Sequence, residues 1–392
     1  MPSESDRLEK LLSGFPRGEF DDLVEIRRDL HRNPELAFEE VRTAGVIAGR
    51  LEGLGLSPRT GVGKTGVSAD AGAAGQRLLV RADMDGLPIT EDSGEAFASE
   101  VAGRMHACGH DGHVAIALAV AGRLGSDSAA PPLRFLFQPA EERGGGARAC
   151  VSDGAMEDVR AAIGLHLWNQ MPVGKVGIYR GAMMAAVDEF EIDVVGRGGH
   201  GAAPHETSDP IVAAARIVEA LQGIVSREVS PLESAVVTVA SIHGGDAFNI
   251  IPSTVRLTGT VRWFAEATGA TMPAKIGRVV SGTAAAAGVS AHLEYRKINR
   301  PVVNDAGVAD AVIDVARRLL GEENVDIETR TLGGEDMSVY LDRVPGCFFF
   351  VGSAPPGPHR PHHSPSFAID ERALAVGVVL MEAAVRKLAG AS

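Results

Sequence analysis

The hydrophobic pattern predicts a first region in which helices alternate with short buried strands. Apolar residues recur at helical spacing in EFDDLVEIRRDLHRNPE (19–35) and FEEVRTAGVIAGRLEGLG (38–55). Apolar runs that end in polar residues then predict strands in LLVRADMD (78–85), LRFLFQPAEE (133–142) and AAIGLHLW (161–168), with a helix at 112–125. Such alternation is typical of an α/β domain whose parallel sheet is covered on both faces and binds ligands beyond the carboxyl ends of its strands.

A second pattern begins near residue 186. VDEFEIDVVG alternates apolar and polar residues as a half-exposed strand does, and DPIVAAARIVEALQGIVSR has helical periodicity. Two strands, a helix around 267–287 and the strand VSAHLEYRKI complete the order βαββαβ of a ferredoxin-like α+β unit. A helix, the strand CFFFVGS and a closing helix from about Asp370 resume the first pattern. We therefore predict an α/β domain of residues 1–185 and 298–392, interrupted by a smaller α+β domain of residues 186–297.

Composition narrows the class of protein. A chain of 392 residues exceeds the size of one ordinary hydrophobic core, which agrees with two domains. The formal charge of −13 argues against a nucleic-acid or anionic membrane surface, and no apolar run approaches the ~20 residues that span a bilayer. The polar N-terminus lacks the apolar segment of a signal peptide, and three widely spaced cysteines do not indicate a disulfide framework. We expect a soluble cytoplasmic protein.

The segment RMHACGHDGH (104–113) concentrates histidine, cysteine and aspartate at the start of a predicted helix. Cys108 and His110 alone are weak evidence for a metal, because single histidines and cysteines usually have structural roles. Other candidate ligands lie at further predicted strand or loop ends, namely Glu141, Glu142, His166, His362 and His363. Imidazole, thiolate and carboxylate groups together suit Zn²⁺, Mn²⁺, Co²⁺ or Ni²⁺. Five or more ligands exceed one tetrahedral site, so we predict two adjacent divalent ions.

The adjacent carboxylates of Glu141 and Glu142 indicate hydrolytic chemistry. Neighbouring like charges repel and burial penalises both, so a solvated turn is the ordinary explanation of such a pair. Beside a metal that cost is offset, because one carboxylate ligates the ion while the other takes a proton from the attacking water.

Eight motifs along the chain resemble those of the M20 metallopeptidases. In order, they are RRDLHRNPELAFEE, RADMDGLPI, MHACGHDGH, FQPAEERGGGA, GLHLW, GRGGHGAAPHE, FNIIPS and HHSPSF. The resemblance is nearest to the amidohydrolases that act on N-acyl amino acids: hippurate hydrolases, aminoacylases and auxin-conjugate hydrolases. It implies a two-metal α/β catalytic domain with an inserted dimerisation or lid domain. It also implies cleavage of N-acyl amino acids to a carboxylic acid and a free amino acid.

The resemblance assigns the metal ligands and the base. The implied ligands are Cys108, His110, Glu142, His166 and His363. The implied general base is Glu141. His363 is preferred to His362 because it precedes Ser-Pro, as the ligand of the family precedes Ser-Pro or Asn-Pro.

Further residues of the larger domain are implied to support these groups. Asp85 matches the acid that orients the site. Asp83 stands where related peptidases have a histidine ligand, so its role stays open. We expect structural roles, or hydrogen bonds to the metal ligands, for His106, Asp111 and His113. A metal-bound histidine usually needs such an outer partner.

Three residues of the smaller domain match the family. His200 matches a histidine that, in family dimers, reaches the active site of the partner subunit and donates to the oxyanion of the tetrahedral intermediate. Asn249 and Arg262 match positions that contact polar groups of the substrate, and Arg262 would bind the amino-acid carboxylate. A cross-strand ion pair is the alternative for Arg262. The implied assembly is a homodimer, and the implied partner is a small N-acyl amino acid.

Other functions remain as alternatives to metal-dependent cleavage of N-acyl amino acids. A dipeptidase of the same family would use the same residues. A cysteine hydrolase using Cys108 leaves the other predicted ligands without a task, and a non-catalytic metal-binding protein has no need of Glu141. The Gly-Lys-Thr of PRTGVGKT (58–65) resembles a phosphate loop, but Pro58 stands where that loop requires glycine. A glycine-rich turn is the simpler interpretation.

Overall fold

The computed structural model describes residues 4–125, 127 and 130–390, which form two compact units. The larger unit runs to Met183 and includes Val302–Arg330 and the residues from Asp336 onward. The smaller unit comprises Met184–Pro301 and Thr331–Glu335. Residues 184–185, 298–301 and 331–335, which the sequence pattern assigned to the larger domain, therefore belong to the smaller unit. The outer limits of the predicted domains, residues 1 and 392, lie outside the described residues.

The predicted elements occur in the predicted order, with further elements before and between them. The helices are α1 (Glu4–Gly14), α2 (Arg17–Arg32), α3 (Val41–Gly53), α4 (His110–Gly125), α5 (Gly146–Ser152), α6 (Pro210–Glu228), α7 (Glu266–Ala286), α8 (Ala306–Leu320), α9 (Ser338–Leu341) and α10 (Arg372–Leu388). The strands are β1 (Arg59–Val62), β2 (Gly66–Ala71), β3 (Arg77–Asp83), β4 (Leu133–Gln138), β5 (Val159–Pro172), β6 (Val176–Gly177), β7 (Gly181–Met184), β8 (Ala186–Val195), β9 (Gly199–His200), β10 (Ala235–His243), β11 (Ile250–Ile251), β12 (Thr254–Trp263), β13 (Ser290–Asn299), β14 (Val302–Asn304), β15 (Val325–Asp326) and β16 (Gly346–Ala354).

The larger unit is built on an eight-stranded sheet of order β1-β2-β4-β3-β5-β16-β6-β15. Its centre is parallel, since β3 pairs in parallel with β4 and β5, and β16 with β5. The predicted α/β class is confirmed, but the sheet is mixed rather than parallel throughout. β1 and β2 are antiparallel because the short turn between Val62 and Gly66 joins them as a hairpin, without a crossover helix.

The core of this unit lies between the sheet and a layer of helices. α4 packs against α2, α10 and β3, and its apolar residues are buried on nearly every side. Along β3, Leu78 and Val80 belong to this core, whereas Arg81 and Asp83 alternate onto the opposite face. Asp83 pairs with Gln138 of β4, so the loops that follow β3 and β4 leave the sheet at the same edge.

The smaller unit has the predicted βαββαβ order. β8, β10, β12 and β13 form an antiparallel sheet of order β10-β12-β8-β13, on which α6 and α7 pack. Asp209 begins α6 by accepting the N–H groups of Ile211 and Val212, and Pro210 occupies its first turn. The short strands β9 and β11 form a separate pair. No helix in the described part of the chain is long and apolar enough to cross a bilayer.

Candidate metal centre

Four segments of the larger unit bring the predicted ligands together. Cys108 lies in the turn before α4 and His110 is the first residue of that helix. Glu142 follows β4, His166 belongs to β5, and His363 lies in the loop after β16. The side chains form two groups of three, Cys108–His110–His166 and Cys108–Glu142–His363. Within each group the potential ligand atoms lie within 4.8 Å of one another. Cys108 is the residue that belongs to both groups.

In the first group, both histidines present Nε2. Nδ1 of His110 donates to the carbonyl oxygen of Asp85 over 2.9 Å, and Nδ1 of His166 donates to that of Leu167 over 2.8 Å. Because a carbonyl only accepts, each Nδ1 carries a proton, and Nε2 is the ring nitrogen left to bind a metal. Nε2 of His166 lies 3.4 Å from the sulfur of Cys108. Burial and the imidazoles of His113 and His362 hold the pKa of His166 well below its usual value, so the ring is neutral.

In the second group, His363 adopts an unusual backbone conformation. Its φ is 60°, in the left-handed region that non-glycine residues rarely occupy, and its N–H donates to the carbonyl oxygen of Ala107 over 2.8 Å. Its Nε2 lies 3.2 Å from Oε1 of Glu142. Hydrogen bonds to Cys108 and Glu142 raise the pKa of His363 to about 10. The groups that hold this extra proton are those that would share a bound cation.

The turn that precedes α4 depends on glycine. Gly109 separates Cys108 from His110 and has a φ of 93°, which would strain any residue with a side chain. This turn allows two ligands, one residue apart, to enter the same group.

Asp85 holds the backbone of the adjacent glutamates. Its two carboxylate oxygens accept the N–H groups of Glu141 and Glu142, each over 3.1 Å. The potential ligand atoms of Glu141, Glu142 and His110 also lie within 4.8 Å of one another. The Glu141 carboxylate is therefore beside the ligand groups, in a position where it can exchange a proton with a molecule bound there.

The donor atoms fit divalent transition metals. Each group combines the sulfur of Cys108 with two imidazole nitrogens, or with one imidazole nitrogen and a carboxylate oxygen. This mixture matches Zn²⁺ and similar ions rather than Mg²⁺ or Ca²⁺, which prefer oxygen alone. An ion held by three protein ligands would keep coordination positions open, as catalytic sites require.

A family comparison agrees with this chemistry. The sequence model of peptidase family M20/M25/M40 matches residues 79–387, which is well over half of the chain. The chain belongs to this family. The resemblance inferred from the motifs is confirmed.

Relatives of the chain within the family include enzymes that act on N-acyl compounds. The N-acetyl-L-cysteine deacetylase of Bacillus subtilis (strain 168) is 42% identical over 356 residues, covering 90% of this chain and 84% of that protein. The IAA-amino acid hydrolase ILR1-like 4 of Arabidopsis thaliana is 38% identical over 370 residues, covering 92% and 84%. The YxeP protein of Bacillus subtilis, a dinuclear metal-binding peptidase of the M20 family, has a TM-score of 0.83 at 33% identity, covering 96% and 100%. The chain is thus an M20-family amidohydrolase.

The surroundings of Cys108 disfavour a cysteine hydrolase. Burial and the Glu142 carboxylate raise the pKa of this thiol. A nucleophilic cysteine instead requires a lowered pKa, because the thiolate is the reactive form.

Asp83, whose role the sequence left open, takes part in a buried hydrogen-bond network. Its carboxylate accepts from the guanidinium of Arg81 over 2.7 Å and from Nδ1 of His113. Nε2 of His113 in turn accepts the N–H of Leu167, the residue after His166, over 2.8 Å. Asp83 therefore holds His113 against the strand that carries a ligand. The signal was the pair of charged residues inside the apolar run LLVRAD.

The other two residues expected near the ligands lie in different surroundings. Asp111 accepts from Arg27 and pairs with His31, each over 2.8 Å. His106 is buried, and neither ring nitrogen has a hydrogen-bond partner among the described residues. No role was predicted from the sequence for Arg27 or His31. Their signal was the position of charged residues on the buried side of α2.

His362 and His363 separate although they are neighbours. Nε2 of His362 bonds to the carbonyl oxygen of Leu167 over 3.0 Å, and its ring stacks on Trp168. Burial lowers the pKa of His362 to about 4. His363 alone of the two belongs to a ligand group.

The smaller unit contains the three remaining candidates. His200 and Asn249 are exposed neighbours, since His200 pairs with Ile250 and the carbonyl oxygen of Asn249 accepts the N–H of Gly201 over 2.8 Å. Nδ1 of His200 accepts the N–H of Ala202 over 3.0 Å, which leaves Nε2 as a donor.

Arg262 lies on β12 of the smaller unit. Burial lowers the pKa of its guanidinium, and Asp188 opposes that shift. Its cross-strand neighbours are Val187 and Val236. The cross-strand ion pair considered as an alternative is not found in the described part of the chain.

Proposed function

We propose that this M20-family protein cleaves the amide bond of N-acyl amino acids with two divalent metal ions. The observation that carries the proposal is the arrangement of two ligand groups that share Cys108, with the carboxylate of Glu141 beside them. Hydrolysis by metal-bound water needs an ion with open coordination positions. It also needs a base that does not itself bind the ion. Cys108, His110, Glu142, His166 and His363 are the proposed ligands.

Glu141 is the proposed general base. It takes a proton from the attacking water and delivers it to the leaving nitrogen of the amide. Two divalent ions held by the ligand groups would polarise the amide carbonyl and acidify the attacking water. Asp85 fixes the direction of Glu141 and Glu142 through their backbone N–H groups.

Substrate recognition is assigned to the smaller domain. Arg262 is half-buried and has a guanidinium fork that matches the two oxygens of a carboxylate, so it is the proposed anchor for the amino-acid end of the substrate. Asn249 is the proposed second polar contact. His200, whose Nε2 is a donor, is proposed to stabilise the oxyanion in the active site of the partner subunit.

A homodimer is proposed as the working assembly. β10 is an edge strand of the smaller unit, and the side chains of Ile242, Phe248 and Ile250 are exposed there and in the following segment. Exposed apolar groups beside a free strand edge favour pairing between copies. A reducing compartment such as the cytoplasm is also proposed, because Cys108, Cys150 and Cys347 are free thiols.

The proposal is tested by substrate screening with defined metals. Metal-stripped protein is reloaded separately with Zn²⁺, Mn²⁺, Co²⁺ or Ni²⁺ and assayed with N-acetyl, N-benzoyl and indolyl-acetyl amino acids and with dipeptides. Release of free amino acid from N-acyl substrates, absent from the stripped protein and from Glu141→Gln, is the expected result. Cleavage of dipeptides alone would instead identify a dipeptidase. Full activity in protein shown to be metal-free would overturn the metal mechanism.

A further inference from the structure

The backbone N–H groups of Ala140 and of the glutamate pair that follows it are consecutive, and all three donate to buried carboxylates. The N–H groups of Glu141 and Glu142 bond to Asp85. The N–H of Ala140 bonds over 2.9 Å to Oε1 of Glu40, which lies 100 residues earlier in the chain. Glu40 is fully buried, and no role was predicted for it from the sequence.

Ala140 adopts a conformation that requires external support. Its φ is 52°, in the left-handed region that alanine rarely occupies. Its carbonyl oxygen accepts the N–H of Gly146 over 3.2 Å, and a side chain at Gly146 would collide with the carbonyl oxygen of Pro139. This turn sets the direction in which the chain leaves β4, and hence where Glu141 and Glu142 point. Such backbone strain persists only where surrounding contacts over-determine it.

Glu40 is itself held in place from two sides. It directly precedes α3, and the positive end of a helix dipole favours a negative charge there. The hydroxyl of Thr65 donates to its Oε2 over 2.5 Å. Burial outweighs the bonds from Thr65 and Ala140, so the pKa of Glu40 is raised above its usual value.

Thr65 belongs to the segment that resembles a phosphate loop, the turn between β1 and β2. The N–H of Gly63 in this turn donates to Oδ2 of Asp153 over 2.7 Å, which fixes the turn against the end of α5. The segment therefore presents a hydroxyl to a buried carboxylate.

We infer that Glu40 is a positioning residue: held by Thr65, it fixes the left-handed turn at Ala140 and thereby aims the carboxylates of Glu141 and Glu142. Glu40 holds the backbone of the residue before the glutamate pair, and Asp85 holds the backbone of the pair itself. The effect on catalysis rests on the proposed function. The effect on the backbone does not, so the two are measured separately.

Amide exchange tests the backbone effect. In metal-free protein, Glu40→Ala removes the acceptor of the Ala140 N–H, so hydrogen exchange in a peptide covering residues 138–147 should accelerate. Glu40→Gln keeps an acceptor oxygen and should restore most of the protection. Glu35→Ala is the matched control, because the Glu35 carboxylate accepts the N–H groups of Arg42 and Thr43 at the start of the same helix. It should leave exchange at residues 138–147 unchanged.

Kinetics of the metal-loaded enzyme test the catalytic effect. Glu40→Ala should lower kcat about 10–100-fold, the usual result of losing a residue that orients metal-site groups, with KM changed by less than about threefold. Glu40→Gln should recover most of kcat, and Glu35→Ala should keep it. If Glu40→Ala fails to fold, Thr65→Val replaces it, since valine keeps the shape and removes only the hydroxyl; its exchange and kcat should shift in the same directions, by smaller factors.

Specific outcomes overturn the inference. Unchanged exchange at residues 138–147 in Glu40→Ala, or in Thr65→Val where that variant is needed, would show that Ala140 does not depend on Glu40. If Glu35→Ala changed hydrogen exchange at residues 138–147 as much as Glu40→Ala does, the role of Glu40 would be only to stabilise α3. Accelerated exchange with an unchanged kcat would separate the turn from catalysis. If the unmodified enzyme cleaves no amide, the proposed function fails while the exchange measurements still decide the role of Glu40.

Discussion

The sulfur of Cys108 lies 3.4 Å from Nε2 of His166, a residue 58 positions later in the chain. The same sulfur is within 4.8 Å of the potential ligand atoms of Glu142 and His363. If each group holds an ion, removal of this sulfur would take one ligand from both, so the binding of the two ions would be interdependent.

Metal stoichiometry should reveal this shared ligand. Cys108→Ala should bind neither ion firmly, whereas His166→Ala and His363→Ala should each keep roughly one of the two ions, since each disrupts one ligand group. Elemental analysis after gel filtration measures the metal content. Cys150→Ala, which removes a buried cysteine outside both groups, is the control and should bind like the unmodified protein. Full metal content in Cys108→Ala would show that the sulfur is not a shared ligand.

Glu141→Gln should keep the metals but lose turnover. The amide preserves the shape of the side chain while removing the base, so kcat should fall about 10²–10⁴-fold. Steady-state kinetics together with metal analysis check this. A kcat near that of the unmodified enzyme would place the base on another residue.

Glu142→Gln should have the opposite profile. Glu142 belongs to the second ligand group, so its amide should weaken metal binding about 10–100-fold, and excess metal should recover part of the activity. Titration with a competing chelator measures the affinity. If Glu141→Gln released metal and Glu142→Gln retained it, the assignments of the two residues would be reversed.

His200→Ala tests whether active sites are shared between subunits. Loss of a donor to the oxyanion should lower kcat about 10²–10³-fold with metal content unchanged. Mixing it with Glu141→Gln under subunit exchange should restore activity, because one site of a mixed dimer combines an intact Glu141 with an intact His200. His205→Ala, an exposed histidine close in sequence, is the control and should keep full activity. Mixed dimers without recovered activity would exclude the shared site.

Asp111→Asn should change the pH dependence of stability. Burial by itself would raise the pKa of Asp111, but the guanidinium of Arg27 and the imidazole of His31 outweigh it and hold that pKa far below its usual value. The folded pKa is thus below the unfolded value of about 3.9, so this stabilisation is present above pH ~4 and is lost as pH falls further. The variant should lose about 3–5 kcal/mol at neutral pH, because Arg27 loses a buried partner.

Urea unfolding at a series of pH values measures this difference. The gap in the free energy of unfolding between Asp111→Asn and the unmodified protein should narrow as pH falls from about 5 to about 3. Asp29→Asn is the control, since Asp29 pairs with Arg42 on the surface and should contribute less than about 1 kcal/mol. A gap independent of pH would show that Asp111 titrates alike in the folded and unfolded chains.

Local patterns in the sequence predicted most elements of the fold. The alternating apolar residues of β8 and the helical spacing of apolar residues in α6 predicted these elements, because side-chain periodicity reflects which face of an element is buried. The hairpin of β1 and β2 was not, since Arg59–Val62 is short and mostly exposed and so lacks an apolar pattern. The placement of residues 331–335 in the smaller unit could not be predicted either, because the chain returns to that unit without forming a helix or strand there.

The sequence by itself determined the kinds of groups in the candidate site: a cysteine, histidines and a glutamate pair, recognisable by type and order along the chain. Only the tertiary structure decided that Cys108 belongs to two ligand groups, that His362 faces Leu167 while His363 faces Glu142, and that Glu40 bonds to Ala140. These contacts join segments far apart in the chain, and their distances follow from strand order and loop direction. Residue types are local properties, whereas distances between segments are set by how the whole sheet packs.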